Sequence, residues 1–330
     1  MIRRALAGAG TVALSAVTLR VVAERAARRL LDAPRVGPDE AGLGPALDAL
    51  GGEIVRIRSR DGLRLSARWL PSEGDDTDWR RDPHDAILLL HGYTGSIAPD
   101  LVEYGPFLRR TAGVLGLDFR GHGESDPAED GDYSVPGLAA DVAAAVDQLG
   151  LRRFLLAGHS LGAAAAIEYA GRHPERVAGL LLVDPNGDQS RVPAGEMERY
   201  LESLRSDPLV ELESYFRQLV IGGDPDAARW VLEDLHVTHE DAVLGAVADA
   251  ARYEPLPVLE RYPGPRLSII SDMNRLPYSL HNLLPDLPVR LMTGTGHWLM
   301  MDRPEVFNHL LDEFVSQVET AGGASSRSAT

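Results

Sequence analysis

The chain has 330 residues, 44% of them hydrophobic and 25% charged, a composition typical of a globular protein with a sizeable core. Its formal net charge of -16 argues against nucleic-acid binding, because no basic excess is available to neutralise phosphates. The absence of both cysteine and lysine excludes disulfides, a cysteine nucleophile, a Schiff-base lysine and a P-loop.

The first 31 residues differ in composition from the rest. Six arginines and one glutamate surround an uncharged stretch from Ala5 to Leu19, which is shorter than the ~20 residues of a spanning helix. Three interpretations stay open: a basic amphipathic helix on a membrane surface or on the protein itself, a cleaved secretory signal, and a plain extension. A cytoplasmic or membrane-associated protein is favoured, with secretion as the alternative. Because Pro34 to Gly51 is rich in Gly and Pro, residues 1–50 are predicted to be an extension and linker.

The first globular pattern is a β-hairpin. Residues 53–58 and 63–70 alternate apolar and polar side chains on either side of Asp61-Gly62. A polar segment, Pro71 to Asp85, follows and is predicted to be disordered. The continuous apolar run 86–90 then predicts a strand that is buried on both faces.

Two loops with unusual composition follow consecutive strands. The first is His91-Gly92-Tyr93-Thr94-Gly95, and the second is the stretch 118–123, Asp-Phe-Arg-Gly-His-Gly, after a strand at 113–117. Predicted helices at 101–110 and 137–149 alternate with these strands. The pattern predicts an α/β fold with a mainly parallel sheet and an antiparallel start.

The strongest local signal is the stretch 157–162, Ala-Gly-His-Ser-Leu-Gly. It follows the apolar run 153–156 and precedes an alanine-rich helix at 163–170. A serine in G-x-S-x-G between a strand and a helix stands on a sharp turn that exposes its hydroxyl above the sheet edge. Ser160 is therefore the candidate nucleophile.

A change of pattern follows the next strand, 177–183. Residues 186–262 are consecutive helices, which predicts a cap inserted over the active site, with a helical dimerisation module as the alternative. Strands resume at 266–271 and 289–292 and lead to Gly296-His297. The predicted units are the extension and linker (1–50), the first part of the core (51–185), the cap (186–262), the second part of the core (263–320) and a disordered tail (321–330).

Four motifs in this order resemble the α/β-hydrolase family: H-G-x-x-G, D-x-R-G-H-G, G-H-S-L-G and a late Gly-His. They cover roughly residues 51–318. The resemblance implies an α/β-hydrolase fold, a mostly parallel doubly wound sheet with an all-helical cap, and it implies no cofactor and no metal. It also implies a catalytic triad in which Ser160 is the nucleophile and His297 the general base.

The resemblance further assigns the oxyanion hole to the backbone N–H groups of Tyr93 and Leu161. Such fixed donors stabilise the negative charge that develops only in the transition state. His91 and His122 occupy positions where the family has structural histidines. His159, beside the nucleophile, is expected to line the pocket rather than act as the base.

The triad acid departs from the family pattern. The usual position, a few residues past the seventh strand, aligns with Asn274, and an amide cannot supply the negative charge that stabilises a protonated imidazole. Asp184, directly after the sixth strand, is the favoured acid. Asp272, at the end of the seventh strand, is the alternative.

These residues predict a serine hydrolase that cleaves a carboxylic ester or a related acyl bond through an acyl-enzyme. The expected partner is a small, apolar acyl substrate, and the oligomeric state stays open. A C–C bond hydrolase or a cofactor-free haloperoxidase-like enzyme is the alternative within the same class. A non-catalytic ligand-binding protein of the same fold is the alternative from another class.

Overall fold

The structure is a computed structural model that describes residues 43–73, 86–93, 95–193, 195–206 and 208–327. The predictions for the Arg-rich segment 1–31 lie outside the described residues, as does most of the polar segment that begins at Pro71. Within the described part of the chain, no helix is both long enough and apolar enough to cross a membrane.

One eight-stranded sheet organises the molecule, with strand order β1-β2-β4-β3-β5-β6-β7-β8. Strand β2 pairs antiparallel with β1 and with β4, and all other neighbours are parallel. The predicted mainly parallel sheet with an antiparallel start is therefore confirmed. The strands are β1 (Glu53–Arg58), β2 (Arg64–Leu70), β3 (Ala86–Leu90), β4 (Gly113–Leu117), β5 (Phe154–His159), β6 (Val177–Val183), β7 (Arg266–Ser271) and β8 (Val289–Met292).

Helices cover the sheet and fill the interval between β6 and β7. Two short 3-10 turns, Pro174–Arg176 and Gln189–Arg191, precede and follow β6. The α-helices are α1 (Leu43–Leu50), α2 (Ala98–Leu108), α3 (Val135–Gln148), α4 (Leu161–Arg172), α5 (Glu196–Ser206), α6 (Pro208–Leu219), α7 (Pro225–Val237), α8 (Glu240–Ala250), α9 (Leu256–Leu259), α10 (Leu280–Leu283), α11 (Leu299–Asp302) and α12 (Pro304–Arg327).

The central strands are buried on both faces because helices pack on each side. Along β3, Leu88 and Leu90 join a core that includes α3 and α4, whereas Ile87 and Leu89 join a core that includes α2 and α12. Successive side chains of a strand point to opposite faces, so both cores need apolar residues from the same short run. The polar loops consequently collect at the carboxyl ends of the parallel strands, where α/β proteins bind ligands.

The structure differs from the sequence prediction at two ends of the chain. Residues 43–50, predicted as part of a linker, form helix α1, whose Leu47 and Leu50 pack against the core that contains α2. The two leucines lie three residues apart, which brings them to one face of the helix. The tail predicted to be disordered from Ala321 is helical through Arg327, because residues added to an existing helix need no new nucleus.

Helices α5 to α8 share a small core of their own between β6 and β7. Tyr93 and Trp298, which belong to loops at the sheet edge, pack against this core. The helical interval thus lies next to those two loops. The predicted domain boundaries at 185/186 and 262/263 stay predictions. The buried apolar residues of this core are Leu204, Leu212, Phe216, Val220, Ala228, Val231, Leu232, Leu235, Val243 and Val247.

Candidate active site

Ser160 stands on a strained turn between β5 and α4. Its φ of 52° and ψ of -111° lie in a region that residues with a side chain rarely adopt. A Cβ on Gly158 would stand 2.2 Å from the Gly162 carbonyl oxygen, and a Cβ on Gly162 would stand 2.4 Å from that of Leu90. Both glycines are required because helix α4 starts in direct backbone contact with the sheet.

The turn holds Ser160 in a buried position. Its backbone N–H donates to the Val183 carbonyl at 3.0 Å, and the residue is only 2% exposed. Among the described residues, the Ser160 hydroxyl makes no hydrogen bond. Catalytic hydrogen bonds in ligand-free sites are often long and tighten only when substrate is bound.

Asp184 and His297 meet at the carboxyl edge of the sheet. The distance from His297 Nδ1 to Asp184 Oδ2 is 2.6 Å. A carboxylate in contact with Nδ1 fixes the proton on that nitrogen, which leaves Nε2 as the acceptor. The structure therefore brings together the histidine and the favoured acid of the predicted triad.

Asp184 is held by more than the histidine. Both carboxylate oxygens accept from Ser271, from its N–H at 2.8 Å and from its hydroxyl at 2.9 Å. The backbone of Asp184 has a φ of 41°, a second strained position at this edge. Burial by itself would raise the pKa of the Asp184 carboxyl, but the hydrogen bonds from His297 and Ser271 hold that pKa below its usual value. Asp184 is therefore an anion held in a fixed orientation.

The alternative acid and the aligned amide have other contacts. Asp272 accepts from the Gly294 N–H at 3.1 Å and lies 3.8 Å from the Arg275 guanidinium. Asn274 donates to the Pro185 carbonyl at 2.8 Å and accepts from the Ser279 hydroxyl at 2.8 Å. Asn274 thus braces the loop that follows Asp184.

The two predicted oxyanion donors belong to loops that meet at Ser160, the candidate nucleophile. A Cβ on Gly92 would stand 3.6 Å from the Ser160 Cβ, so the loop that contains Tyr93 lies directly beside the nucleophile. Neither the Tyr93 N–H nor the Leu161 N–H donates to an acceptor within the part of the chain that the structure describes. Two such N–H groups beside a nucleophile suit the recognition of an oxyanion.

His91 and His122 hold the loop that contains Tyr93 rather than face the candidate nucleophile. His91 Nε2 accepts from the Phe119 N–H at 3.0 Å and its Nδ1 donates to the Gly92 carbonyl at 2.9 Å. His122 Nε2 lies 2.9 Å from the Tyr93 carbonyl. Burial lowers the pKa of both imidazoles. These contacts fit the structural roles that the resemblance implies.

His159 connects the nucleophile turn to the histidine loop. Its Nε2 donates to the His297 carbonyl at 3.0 Å, and it lines a small cavity of about 20 Å³ together with Trp298 and Trp230. Burial, with a smaller contribution from the neighbouring His297, lowers the pKa of His159 to about 3. Because its proton is fixed on Nε2 by a carbonyl, His159 is a neutral structural group.

The histidine loop is also attached to the helical interval, a feature that sequence reasoning missed. The His297 N–H donates to the Leu219 carbonyl, at the end of α6, at 2.8 Å. The Asp302 carboxylate accepts from Gly296 N–H and from Asp224 N–H, each at 2.7 Å. Asp302 therefore joins the loop before His297 to the loop that starts α7. An acid six residues beyond Gly296 carries no recognisable sequence signal.

A large cavity opens beside His297. It has a volume of about 480 Å³ and lies between the loop after β6, helices α5 and α6, and the loop after β7. The rings of Tyr200, Tyr215 and Tyr278 form much of its wall. Its size and mostly apolar wall are those of a small-molecule site. Within the described residues, no three His, Asp or Glu side chains are arranged to hold a metal ion.

The α/β-hydrolase fold model matches residues 85–218, which include Ser160 and both predicted oxyanion donors. This protein has the α/β-hydrolase fold. The hydrolase shares its fold with an esterase from Thermogutta terrifontis, at a TM-score of 0.67 and 19% identity over 81% of this chain and 99% of that one. It is also similar to a membrane phospholipase A described as a bacterial virulence factor, with 25% identity, a TM-score of 0.66, and coverage of 94% of this chain and 97% of that one.

A curated relative of the hydrolase is the dihydrolipoyllysine-residue acetyltransferase component of an acetoin cleaving system from Pseudomonas putida. The two are 27% identical over 246 residues, which cover 69% of this chain. The match spans 63% of the length of that relative.

Proposed function

We propose that this α/β hydrolase cleaves carboxylic esters with an apolar acyl group through a covalent acyl-enzyme. The observation that carries the proposal is the Asp184–His297 hydrogen bond of 2.6 Å beside the strained serine turn. In a serine hydrolase, a carboxylate orients the imidazole of the general base and stabilises its charged form. A histidine with a purely structural role does not need this partner.

Acylation starts at Ser160. His297 Nε2 accepts the proton of the Ser160 hydroxyl while the oxygen attacks the ester carbonyl carbon. The carbonyl oxygen becomes an anion that the N–H groups of Tyr93 and Leu161 stabilise, and one such donor contributes about 3 kcal/mol. Collapse of the tetrahedral intermediate breaks the bond to the alcohol oxygen, which takes the proton from His297.

Deacylation repeats these steps with water. His297 accepts a proton from a water molecule, whose oxygen attacks the acyl carbon that is bonded to Ser160. The tetrahedral intermediate collapses, the proton returns to the Ser160 oxygen and the carboxylic acid leaves. Asp184 keeps its negative charge throughout and stabilises the imidazolium that forms twice in each turnover.

The side chains that line the cavity beside His297 suit an apolar acyl group. Met197, Leu219, Met273 and Leu276 line it in addition to the tyrosine rings. Burying apolar surface there contributes binding energy at roughly 25 cal/mol per Å². Such a site binds a hydrocarbon chain while the ester carbon stands next to the serine.

We further propose that residues 1–31 contact a membrane surface. The six arginines in this segment are matched by a single glutamate, a charge balance that attracts anionic lipids. The similarity to a membrane phospholipase A supports this proposal. An ester hydrolase at a membrane surface would meet apolar acyl chains.

Turnover of p-nitrophenyl esters of graded acyl length tests the proposed function. The parent protein is expected to release p-nitrophenol, and Ser160→Ala is expected to lose about 10⁴-fold or more in kcat while its circular dichroism stays unchanged. A Ser160→Ala variant with activity within about tenfold of the parent would contradict the proposal.

A further inference from the structure

Acidic side chains line the cavity beside His297, whereas arginines do not. Among the described residues that line it, the ionisable acids are Asp184, which is bonded to His297, and Glu196. No arginine stands among these lining residues, and the sequence has no lysine. His297 is the single lining group that becomes cationic during turnover, and its Nδ1 is already bonded to Asp184.

Three arginines that neighbour lining residues in sequence have acidic partners, and a fourth, Arg199, is exposed and does not line the cavity. Arg191 lies 3.6 Å from the Asp188 carboxylate, and Arg275 lies 3.8 Å from Asp272. Arg217, next to the lining residue Gln218, is bonded to Glu213 on the same helix. None of these guanidinium groups lines the cavity. The whole chain, at a net charge of -16, adds a negative potential.

A carboxylate that enters such a cavity loses its water without gaining a charged partner. The loss of hydration is not offset, because an anion needs a cation or several N–H donors to replace water. Three of the four lining amides already donate to other groups, and the fourth is Gln189. Asn274 donates to the Pro185 carbonyl, Asn186 donates to the Tyr93 hydroxyl at 3.2 Å, and Gln218 donates to the Ser214 carbonyl at 3.2 Å.

We propose that this site selects esters whose acyl group is uncharged and rejects acyl groups that carry a carboxylate. The inference rests on the proposed ester hydrolase function and adds the substrate class. The selection comes from the cavity wall, where apolar side chains, tyrosine rings and the Glu196 carboxylate line the cavity without an arginine. An anionic acyl group therefore raises the free energy of both the bound complex and the transition state, which lowers kcat/KM.

Three p-nitrophenyl esters of matched chain length test the inference with the full chain. They are the hexanoate, the monoester of adipic acid, and the same adipate with its free carboxyl methylated. We expect the methyl-capped adipate to be hydrolysed within about tenfold of the hexanoate, and the free adipate at least about 100-fold more slowly. The methyl cap separates charge from length. The ratio of the rates for the capped and free adipates should persist at 0.5 M NaCl, about the concentration at which salt screens the charge of the whole surface.

A pair of variants at one lining residue tests the electrostatic cause. Gln218 is exposed on helix α6, so both arginine and methionine fit there without repacking a core. Gln218→Arg should raise kcat/KM for the free adipate relative to its methyl ester about tenfold or more, whereas Gln218→Met should leave that ratio unchanged. A stability measurement on both variants ensures that they are compared as folded proteins.

The outcomes separate this inference from the proposed function. Equal kcat/KM values for the free and capped adipates, a ratio that vanishes in high salt, or an unchanged ratio in Gln218→Arg would each overturn the charge selection and leave ester hydrolysis intact. No hydrolysis of any of the three esters, together with no phosphonate adduct on Ser160, would overturn the proposed function and the inference with it.

Discussion

At the residue scale, two strained positions face each other across neighbouring strands. Ser160 and Asp184, which directly follow β5 and β6, are the non-glycine residues with positive φ in the described chain. The Ser160 N–H donates to the carbonyl of Val183, the residue before Asp184. Strain of this kind persists where the surrounding contacts over-determine the backbone, and it is concentrated at functional sites.

The two candidate acids give the sharpest residue-scale prediction. Asp184→Asn keeps the volume but removes the charge beside His297, so kcat should fall by about a thousandfold or more. Asp272→Asn is the matched control, because Asp272 contacts Gly294 and Arg275 rather than His297. Steady-state kinetics on one ester measures both. If Asp184→Asn keeps parental kcat, the proposed role of Asp184 is wrong.

Buried His159 gives a prediction about stability and pH. Its pKa is about 3 in the folded protein and near 6.5 in the unfolded chain, so unfolding takes up a proton between these values. The free energy of unfolding should therefore fall as pH is lowered below 6.5, by up to about 1.4 kcal/mol per pH unit from this group. His159→Gln should make that slope shallower in urea unfolding at pH 7 and pH 5. Parallel slopes would contradict a buried neutral His159.

The sequence predicts which motifs contain the site residues, but it does not give the distances between their side chains. Ser160 and His297 stand in motifs whose spacing predicts their roles, whereas the choice between Asp184 and Asp272 depended on which carboxylate reaches the imidazole. Ser271, which bonds both oxygens of Asp184, was missed because a serine at a strand end has no distinctive pattern.

At the scale of elements, the histidine loop is shared between the sheet and the helical interval. The Leu219 carbonyl in α6 accepts from the His297 N–H, and the Asp302 carboxylate accepts from the N–H groups of Gly296 and Asp224. The Trp298 ring packs 5.6 Å from that of Phe216. A shift of helix α6 or of the loop before α7 would therefore move His297, the proposed general base. Contacts of this kind couple an access element to the reacting groups.

The two hydrogen bonds that Asp302 accepts lead to a prediction about the alignment of His297. Asp302→Ala removes the acceptor of Gly296 N–H and Asp224 N–H, so His297 should lose its alignment and kcat should fall about tenfold to hundredfold. Asp312→Ala, which removes an exposed carboxylate of α12, is the control. The kcat and KM of both variants are measured on one ester. A kcat for Asp302→Ala within about twofold of Asp312→Ala would contradict the positioning role.

The buried strands could be predicted from the sequence more readily than helix α1. Buried strands need continuous apolar runs, such as Ala86–Leu90, and these stand out in any sequence. Helix α1 was predicted as linker because its stability comes from the packing of Leu47 and Leu50 on the core, not from local propensity.

At the scale of the whole molecule, charge is distributed unevenly along the chain. The total is -16, yet residues 1–31 carry six arginines and one glutamate. An acidic core would be repelled by an anionic membrane, so attraction to it has to come from the basic segment. The full-length protein is thus expected to bind anionic vesicles through this segment.

Truncation tests that expectation. A variant that lacks residues 1–31 should lose sedimentation with anionic vesicles and keep its turnover of soluble esters, because the sheet begins at Glu53. Vesicles of neutral lipid are the control for charge. Equal binding of the truncated and full-length proteins would contradict membrane contact through the segment.

The proposed function depends most directly on Ser160 as the nucleophile of this hydrolase. A fluorophosphonate reacts with an activated serine and stays bonded to it, so mass spectrometry of the digested protein identifies the residue that reacts. We predict one adduct, on the peptide that contains Ser160, and no adduct in Ser160→Ala. An unlabelled parent protein, or equal labelling of the Ser160→Ala variant, would contradict it.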